Sequence, residues 1–385
     1  MSFIGQNTLR TKQLNRTLVF QTLLRLEAPT RQEIASFTKL TPATITNIIS
    51  ELIEEGFVVE LGNGVSEQKR AGRKTVVLGL NENSSKIAGV HIRSDRVEIG
   101  IVTLRGTVLK STSFPIPPKI KQDDFLQLLK TKLQSFLQQN KTIPISCIGV
   151  GSVGLVDYEN GRILEAEHLG WENVDLVAEL STTFQLPVFL DHHVRGMTLA
   201  EKMFGSCKNQ SDFLSVYIGQ GIGAGLFLKD QLYRSEMTGA GELGHMTFQP
   251  EGVDCWCGNK GCLERYASEG AIKNELKVDS TLKVIEACQN GEKEAIQTLR
   301  TAGKRIAIVL ASFLNMFHVQ KIVIGGELAH QDLPLLNEIR EVANSRSFLA
   351  KKRKVEVVTT VLGEQQGIIG AASVALLDGV FTATK

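Results

Sequence analysis

Between Gly241 and Glu264 the chain gathers His245, Cys255, Cys257 and Cys262 within eighteen residues. One imidazole and three thiols are the full complement of a closed tetrahedral metal site, and zinc suits that borderline-soft donor set. Four protein ligands leave no position for water, so the expected cofactor is a structural zinc ion rather than a catalytic one. Gly258 and Gly261 stand where the backbone has to double back for the sulfurs to face one point. Chance grouping of buried thiols is a poor alternative, because the other three cysteines, Cys147, Cys207 and Cys288, are each isolated.

At 385 residues the chain exceeds one ordinary core and divides into two or three domains. Its 42% hydrophobic and 22% charged residues are those of a globular protein. A net charge of +2 gives no overall pull toward nucleic acid, so such a role has to come from local basic patches. No apolar run reaches membrane-spanning length, and Met1-Ser-Phe-Ile-Gly5 lacks the plan of a secretory leader. With its isolated cysteines reduced, a cytoplasmic protein without membrane insertion is expected.

Helical periodicity starts near Asn15, with Leu18, Val19, Leu23, Leu24 and Leu26 on one face. Thr30-Arg-Gln-Glu33 reads as a capping box opening a second helix that buries Ile34 and Phe37. Thr41-Pro42 supplies an N-cap and a first-turn proline for a third helix, with Ile45, Ile48, Ile49, Leu52 and Ile53 inward. Thr44, Thr46, Asn47 and Ser50 are left on or near its outer surface. Residues 57–61 and 75–80 then form a β-hairpin, which makes the module a winged helix-turn-helix. Its loop carries Lys69, Arg70, Arg73 and Lys74 beside glycine, suited to phosphates or a narrow minor groove. A plain three-helix packing module is the bland alternative. Basic residues before the first helix and on the wing, flanking a small polar helix face, favour double-stranded DNA. The expected contacts are Thr41, Thr44, Thr46, Asn47 and Ser50 in the groove, with Asn47 an adenine reader, and Lys69, Arg70, Arg73 and Lys74 on the backbone.

From residue 86 strands and helices alternate: strands over 86–92, 96–104, 107–110 and 145–150, and a helix over 123–139. Further strands are expected at 213–219, 220–226 and 321–327, and helices at about 279–289, 292–302, 303–317 and 364–377.

Glu242-Leu-Gly-His245 followed by Cys-x-Cys-Gly-x-x-Gly-Cys-Leu-Glu264 resembles the signature of the ROK family, which contains sugar kinases and sugar-responsive repressors. The resemblance covers essentially the whole chain. It implies an α/β fold: the N-terminal winged helix-turn-helix of the repressor branch, then a two-lobed, actin-like, hexokinase-type body with the zinc loop. The divisions expected are 1–82 for the DNA-binding domain, 83–198 plus about 367–385 for the first lobe, and 199–366 for the second lobe with the zinc site and oligomerisation surface. Glu242, His245 and Glu264 are implied at the sugar end of the inter-lobe cleft, although support of the zinc loop explains the two glutamates equally well. Where the kinases carry Asp-x-Gly-Gly-Thr, this chain has His91-Ile-Arg-Ser-Asp95, and bulky Arg93 and Ser94 obstruct backbone approach to phosphate. Where they carry a sugar-binding Asn-Asp pair with the catalytic base, it has His192-His193 after Asp191. Loss of both features argues against an enzyme, and no catalytic residue is assigned. Asp191, His192 and His193 are instead expected to line the cleft with Glu242, Glu264 and His245. The function expected is a repressor of carbohydrate-utilisation genes, a homodimer or homotetramer on its operator, answering to a small sugar or phosphosugar. A sugar kinase, or a regulator answering to a protein partner, is the alternative.

Overall fold

A computed structural model of the chain describes residues 8–63, 76–84, 86–235, 239–330 and 332–381. Three helices come first, α1 (Thr8–Arg25), α2 (Arg31–Thr38) and α3 (Pro42–Glu54). The first begins well before the apolar periodicity at Asn15. The Thr30 hydroxyl accepts from the Glu33 amide at 3.2 Å, and Glu33 accepts from the Thr30 amide at 2.7 Å, so the capping box forms in full. Lys39 ends α2 in the left-handed region at φ 61°. Thr41 then caps α3 by accepting from the Thr44 amide at 3.2 Å. Ile45, Ile48, Ile49 and Leu52 are buried, while Thr46, Asn47 and Ser50 are exposed. Strands β1 (Val58–Asn63) and β2 (Val76–Leu80) pair antiparallel after the helices.

One expectation in this module is corrected. Phe37 is 46% exposed, because Thr38 takes the buried place one turn after Ile34 and donates its hydroxyl to the Ile34 carbonyl at 2.7 Å. Thr44 is only half exposed, and its hydroxyl lies 2.9 Å from that of Thr41. Lys69, Arg70, Arg73 and Lys74 lie outside the described residues.

Two five-stranded sheets form the body. The first is built from β3 (Lys86–Ile92), β4 (Arg96–Val102), β5 (Val108–Pro115), helix α4 (Gln122–Gln139) and β6 (Ile145–Ser152). A small antiparallel sheet follows, of β7 (Leu155–Asp157), β8 (Arg162–Ala166) and β9 (Trp171–Val174), then α5 (Leu176–Phe184), β10 (Val188–His192) and α6 (His193–Met203). The strand order of the first sheet is β10-β6-β3-β4-β5. The second sheet takes β11 (Phe213–Ile218), β12 (Ile222–Leu228) and β13 (Gln231–Leu232). Helices α7 (Glu264–Ala267), α8 (Glu269–Leu276), α9 (Thr281–Gln289) and α10 (Lys293–Met316) lead to β14 (Lys321–Gly325), α11 (Pro334–Arg346) and β15 (Glu356–Thr359). Its order is β13-β12-β11-β14-β15, with β11, β14 and β15 parallel. Finally α12 (Gln366–Ala375) and a π-type turn, Leu376–Phe381, return to the first sheet.

The break expected between 302 and 303 does not occur, and α10 runs unbroken for 24 residues. Gly303 is needed there for a different reason: a Cβ would sit 2.6 Å from the Leu335 carbonyl, where α11 crosses. Helix α6 touches both large sheets and α12. The N-terminal module shares its core with the body, since Val19, Phe20 and Leu23 cluster with Leu199, Met203, Phe213 and Phe381. Among the described residues no helix is long and apolar enough to cross a membrane.

Candidate functional site

The loop between β13 and α7 folds on itself through bridges Asp254–Lys260 and Thr247–Cys262. Gly258 and Gly261 turn the chain at φ 83° and 70°, which costs glycine nothing. His245, Cys255, Cys257 and Cys262 then converge, their ligand atoms all within 4.8 Å of one another. Cys255 Sγ lies 3.7 Å from His245 Nδ1, and the Cys257 and Cys262 sulfurs are 3.6 Å apart. Such a group can hold a metal ion. Glu264 abuts it, accepting from the Trp256 indole at 2.5 Å with its other oxygen 3.9 Å from His245 Nε2.

His245 and Glu264 also face a cavity of about 280 Å³, together with His192, His193, Tyr217 and Glu242. Burial holds the Glu242 carboxyl above its ordinary range. Val153, Leu155 and Ala166 add apolar wall from the small sheet and the turn before it; the small sheet is not among the strands expected from the sequence. Of the expected cleft residues only Asp191 is absent from this wall. It is fully buried, accepting from Arg195 Nε at 2.5 Å, Arg234 Nε at 2.8 Å and the His192 amide at 2.7 Å. Arg234 in turn forks onto Asp378 in the terminal turn, at 3.1 and 2.8 Å.

His192 and His193 both look into the cavity despite being neighbours, because the strand β10 ends at one and the helix α6 starts at the other. Their rings are 4.8 Å apart and nearly perpendicular. Behind them stands His91, whose Nε2 is 3.1 Å from His193 Nδ1 and whose Nδ1 is 2.9 Å from Glu98 Oε2. All three imidazoles are pushed below the ordinary histidine range. Burial is the main cause, and neighbouring cations add to it; for His192 the result is about 3, with Arg195 contributing. Glu98 moves the other way from what its burial favours. Hydrogen bonds from His91 and Arg96 outweigh desolvation and bring it down to about 2.

A second cavity of about 690 Å³ lies beyond Arg93 and Tyr217, which line both. Arg93 is buried and ringed by acids, with Asp95 at 3.0 Å and Glu269 and Glu327 at 3.9 Å. The Arg93 side chain thus stands as a partition between the two spaces.

The model of the ROK family matches residues 87–377. A xylose repressor of Caldicellulosiruptor bescii is 30% identical, over 97% of this chain and 98% of its own length. The solved structure of a ROK family transcriptional regulator, a homologue of the Escherichia coli MLC protein, superposes with a TM-score of 0.82 at 28% identity, covering 96% of this chain and 98% of that one. A ROK family glucokinase from Streptomyces griseus, crystallised with glucose and AMPPNP, shares the fold over part of the chain. Its TM-score is 0.68 at 22% identity, over 75% of this chain and 98% of its own.

Proposed function

The chain belongs to the ROK family, and on that premise we propose that it is a sugar-responsive DNA-binding transcriptional regulator, a repressor rather than a kinase. The observation that carries this reading is the likeness to a ROK transcriptional regulator and a xylose repressor over 96% and 97% of this chain, a span that takes in the N-terminal module of three helices and a β pair. We read the module, 1–82, as a winged helix-turn-helix. Thr41, Thr46, Asn47 and Ser50 of α3 meet base edges, with Thr44 acting through the cap, and Lys69, Arg70, Arg73 and Lys74 meet phosphates. The divisions 83–198 plus about 367–385, and 199–366, are proposed as the two lobes. The cavity between them takes the sugar through Glu242, Glu264, His192, His193 and His245, with Asp191 acting from behind.

Zinc is the ion we assign to His245, Cys255, Cys257 and Cys262. Tetrahedral geometry at a metal–sulfur length of about 2.3 Å puts sulfurs about 3.7 Å apart, and the Cys257 and Cys262 sulfurs lie at 3.6 Å. Its role is to hold the loop so that His245 and Glu264 face the cavity. Kinase activity is disfavoured because Arg93 and its ring of acids fill the passage that phosphoryl transfer would need, and neutral His193 replaces a carboxylate base. Two such heads on a pseudo-palindromic operator require at least a homodimer. Ligand works by favouring one closure of the lobes and so one spacing of the heads. A cytoplasmic location accords with this role.

The test is operator capture followed by titration. The purified protein is incubated with fragmented genomic DNA from its own source, the bound fragments are recovered, and their affinity is measured with and without sugars. Retention of specific fragments, released or tightened by at least one sugar, is expected. Indifference to duplex DNA at low salt, or sugar-dependent ATP hydrolysis at a rate typical of kinases, would overturn the proposal.

A further inference from the structure

The histidine chain behind the cavity has only one arrangement of protons. Glu98 is ionised, and a carboxylate can only accept, so His91 Nδ1 must carry the hydrogen it shares at 2.9 Å. A neutral His91 then has a bare Nε2, which accepts from His193 Nδ1 at 3.1 Å. His193 is neutral too, so its remaining nitrogen, Nε2, is a bare lone pair on a ring that lines the cavity. Space for this chain is built into the backbone: a Cβ on Gly367 would overlap His91 Nδ1.

The rest of the wall has the same bias. Glu165, Glu167, Glu242 and Glu264 line it as further acceptors, and its one guanidinium, Arg93, is already engaged by three acids. A phosphate brought here would find carboxylates facing it and no free cation among the described residues. Hydroxyl groups, which donate, would find partners.

We propose that Glu98, His91 and His193 form a fixed-tautomer chain whose last nitrogen, His193 Nε2, accepts a hydroxyl hydrogen from an uncharged sugar in the cavity. Glu98 and His91 are positioning residues; they act through His193. The inference rests on the sugar-responsive reading and narrows it by excluding phosphosugars.

The test uses the full-length, metal-loaded protein. Calorimetric titration with D-xylose, D-glucose and N-acetyl-D-glucosamine, and with the 6-phosphates of the two hexoses, is paired with ¹⁵N spectra of the imidazoles in the free protein. At least one neutral sugar is expected to bind and its phosphate to bind far more weakly. His193 should show a protonated Nδ1 and an unprotonated Nε2. Glu98→Gln, whose amide can donate to His91 and release the constraint, should mix the tautomers and weaken the sugar roughly tenfold, the worth of one hydrogen bond. Should the variant fold poorly, the wild-type spectra still decide the tautomer. A panel in which no sugar binds overturns the sugar-responsive reading itself. Binding of phosphates alone, or the opposite tautomer on His193, leaves that reading intact and overturns this one.

Discussion

Three buried histidines tie stability to pH. His91, His192 and His193 are neutral in the fold, with His192 at about 3, while the unfolded chain protonates near 6.5. Folded values below unfolded ones mean that the unfolded state binds more protons as acid is added. Their contribution is therefore complete above pH 6.5 and declines below it; for His192 the decline runs toward pH 3, by about 1.4 kcal/mol per pH unit. Glu98, at about 2 against an ordinary 4.5, adds a loss of the same sign at still lower pH. Urea unfolding between pH 7 and 5 should show this decline, and His192→Phe should flatten it. Gly367→Ala should force the new methyl against His91, costing about 1–3 kcal/mol by overpacking, and should abolish the neutral-sugar heat in calorimetry. Local spacing made the metal residues legible, since four ligands within eighteen residues need no knowledge of the fold. The relay was not legible, because His91 and His193 stand 102 residues apart and meet only through β3 and α6. Asp191 misled for a related reason. Its neighbours in sequence face the cavity, but the guanidiniums that claim it, Arg195 and Arg234, turn it inward.

Among the elements, those with strong caps were readable and those defined by a distant partner were not. Thr30 with Glu33, and Thr41 with Pro42, announced α2 and α3 from patterns of four and two residues. The single helix α10 was not legible across 302 and 303, because what requires Gly303 there, the Leu335 carbonyl of α11, lies in another element. The cysteine loop has little apolar core of its own, so metal should supply much of its order. Dialysis against a strong chelator at neutral pH is expected to release about one zinc ion per chain and lower the melting temperature. Cys262→Ser should do the same without chelator, and metal analysis by mass spectrometry checks both. Helix α1 is the joint between module and body: Phe20 stacks on Phe381 with ring centroids 4.3 Å apart, and buried Arg16 joins Glu55 to the Val380 carbonyl. Phe381→Ala should cost about 3–5 kcal/mol by leaving a cavity in this shared core. Scanning calorimetry of the variant should then separate one transition into two, for module and body.

At the scale of the whole molecule, a cavity in the body can reach the N-terminal module only through something both touch, and the structure offers a short route. His192 lines the cavity, and its amide is held by Asp191. Arg234 joins Asp191 to Asp378, and Asp378 belongs to the turn whose Val380 and Phe381 pack on α1. A charged group buried between two carboxylates has few alternative positions, so a shift of the cavity wall has to be answered at the turn or break an ion pair. Proximity alone does not establish coupling; the criterion is whether the two binding equilibria depend on each other. Arg234→Lys keeps the charge but loses the fork that spans both acids. The variant is expected to bind sugar and operator separately with affinities near wild type, while the change that sugar causes in operator affinity shrinks. A coupling of about 1–3 kcal/mol is typical of such proteins, so the loss should appear as a five-fold or greater narrowing between sugar-bound and sugar-free operator affinities. Fluorescence anisotropy of labelled operator, with and without saturating sugar, measures it. Coupling that survives intact in Arg234→Lys would move the route to α6 and α12, which cross at Gly196 and Gly370.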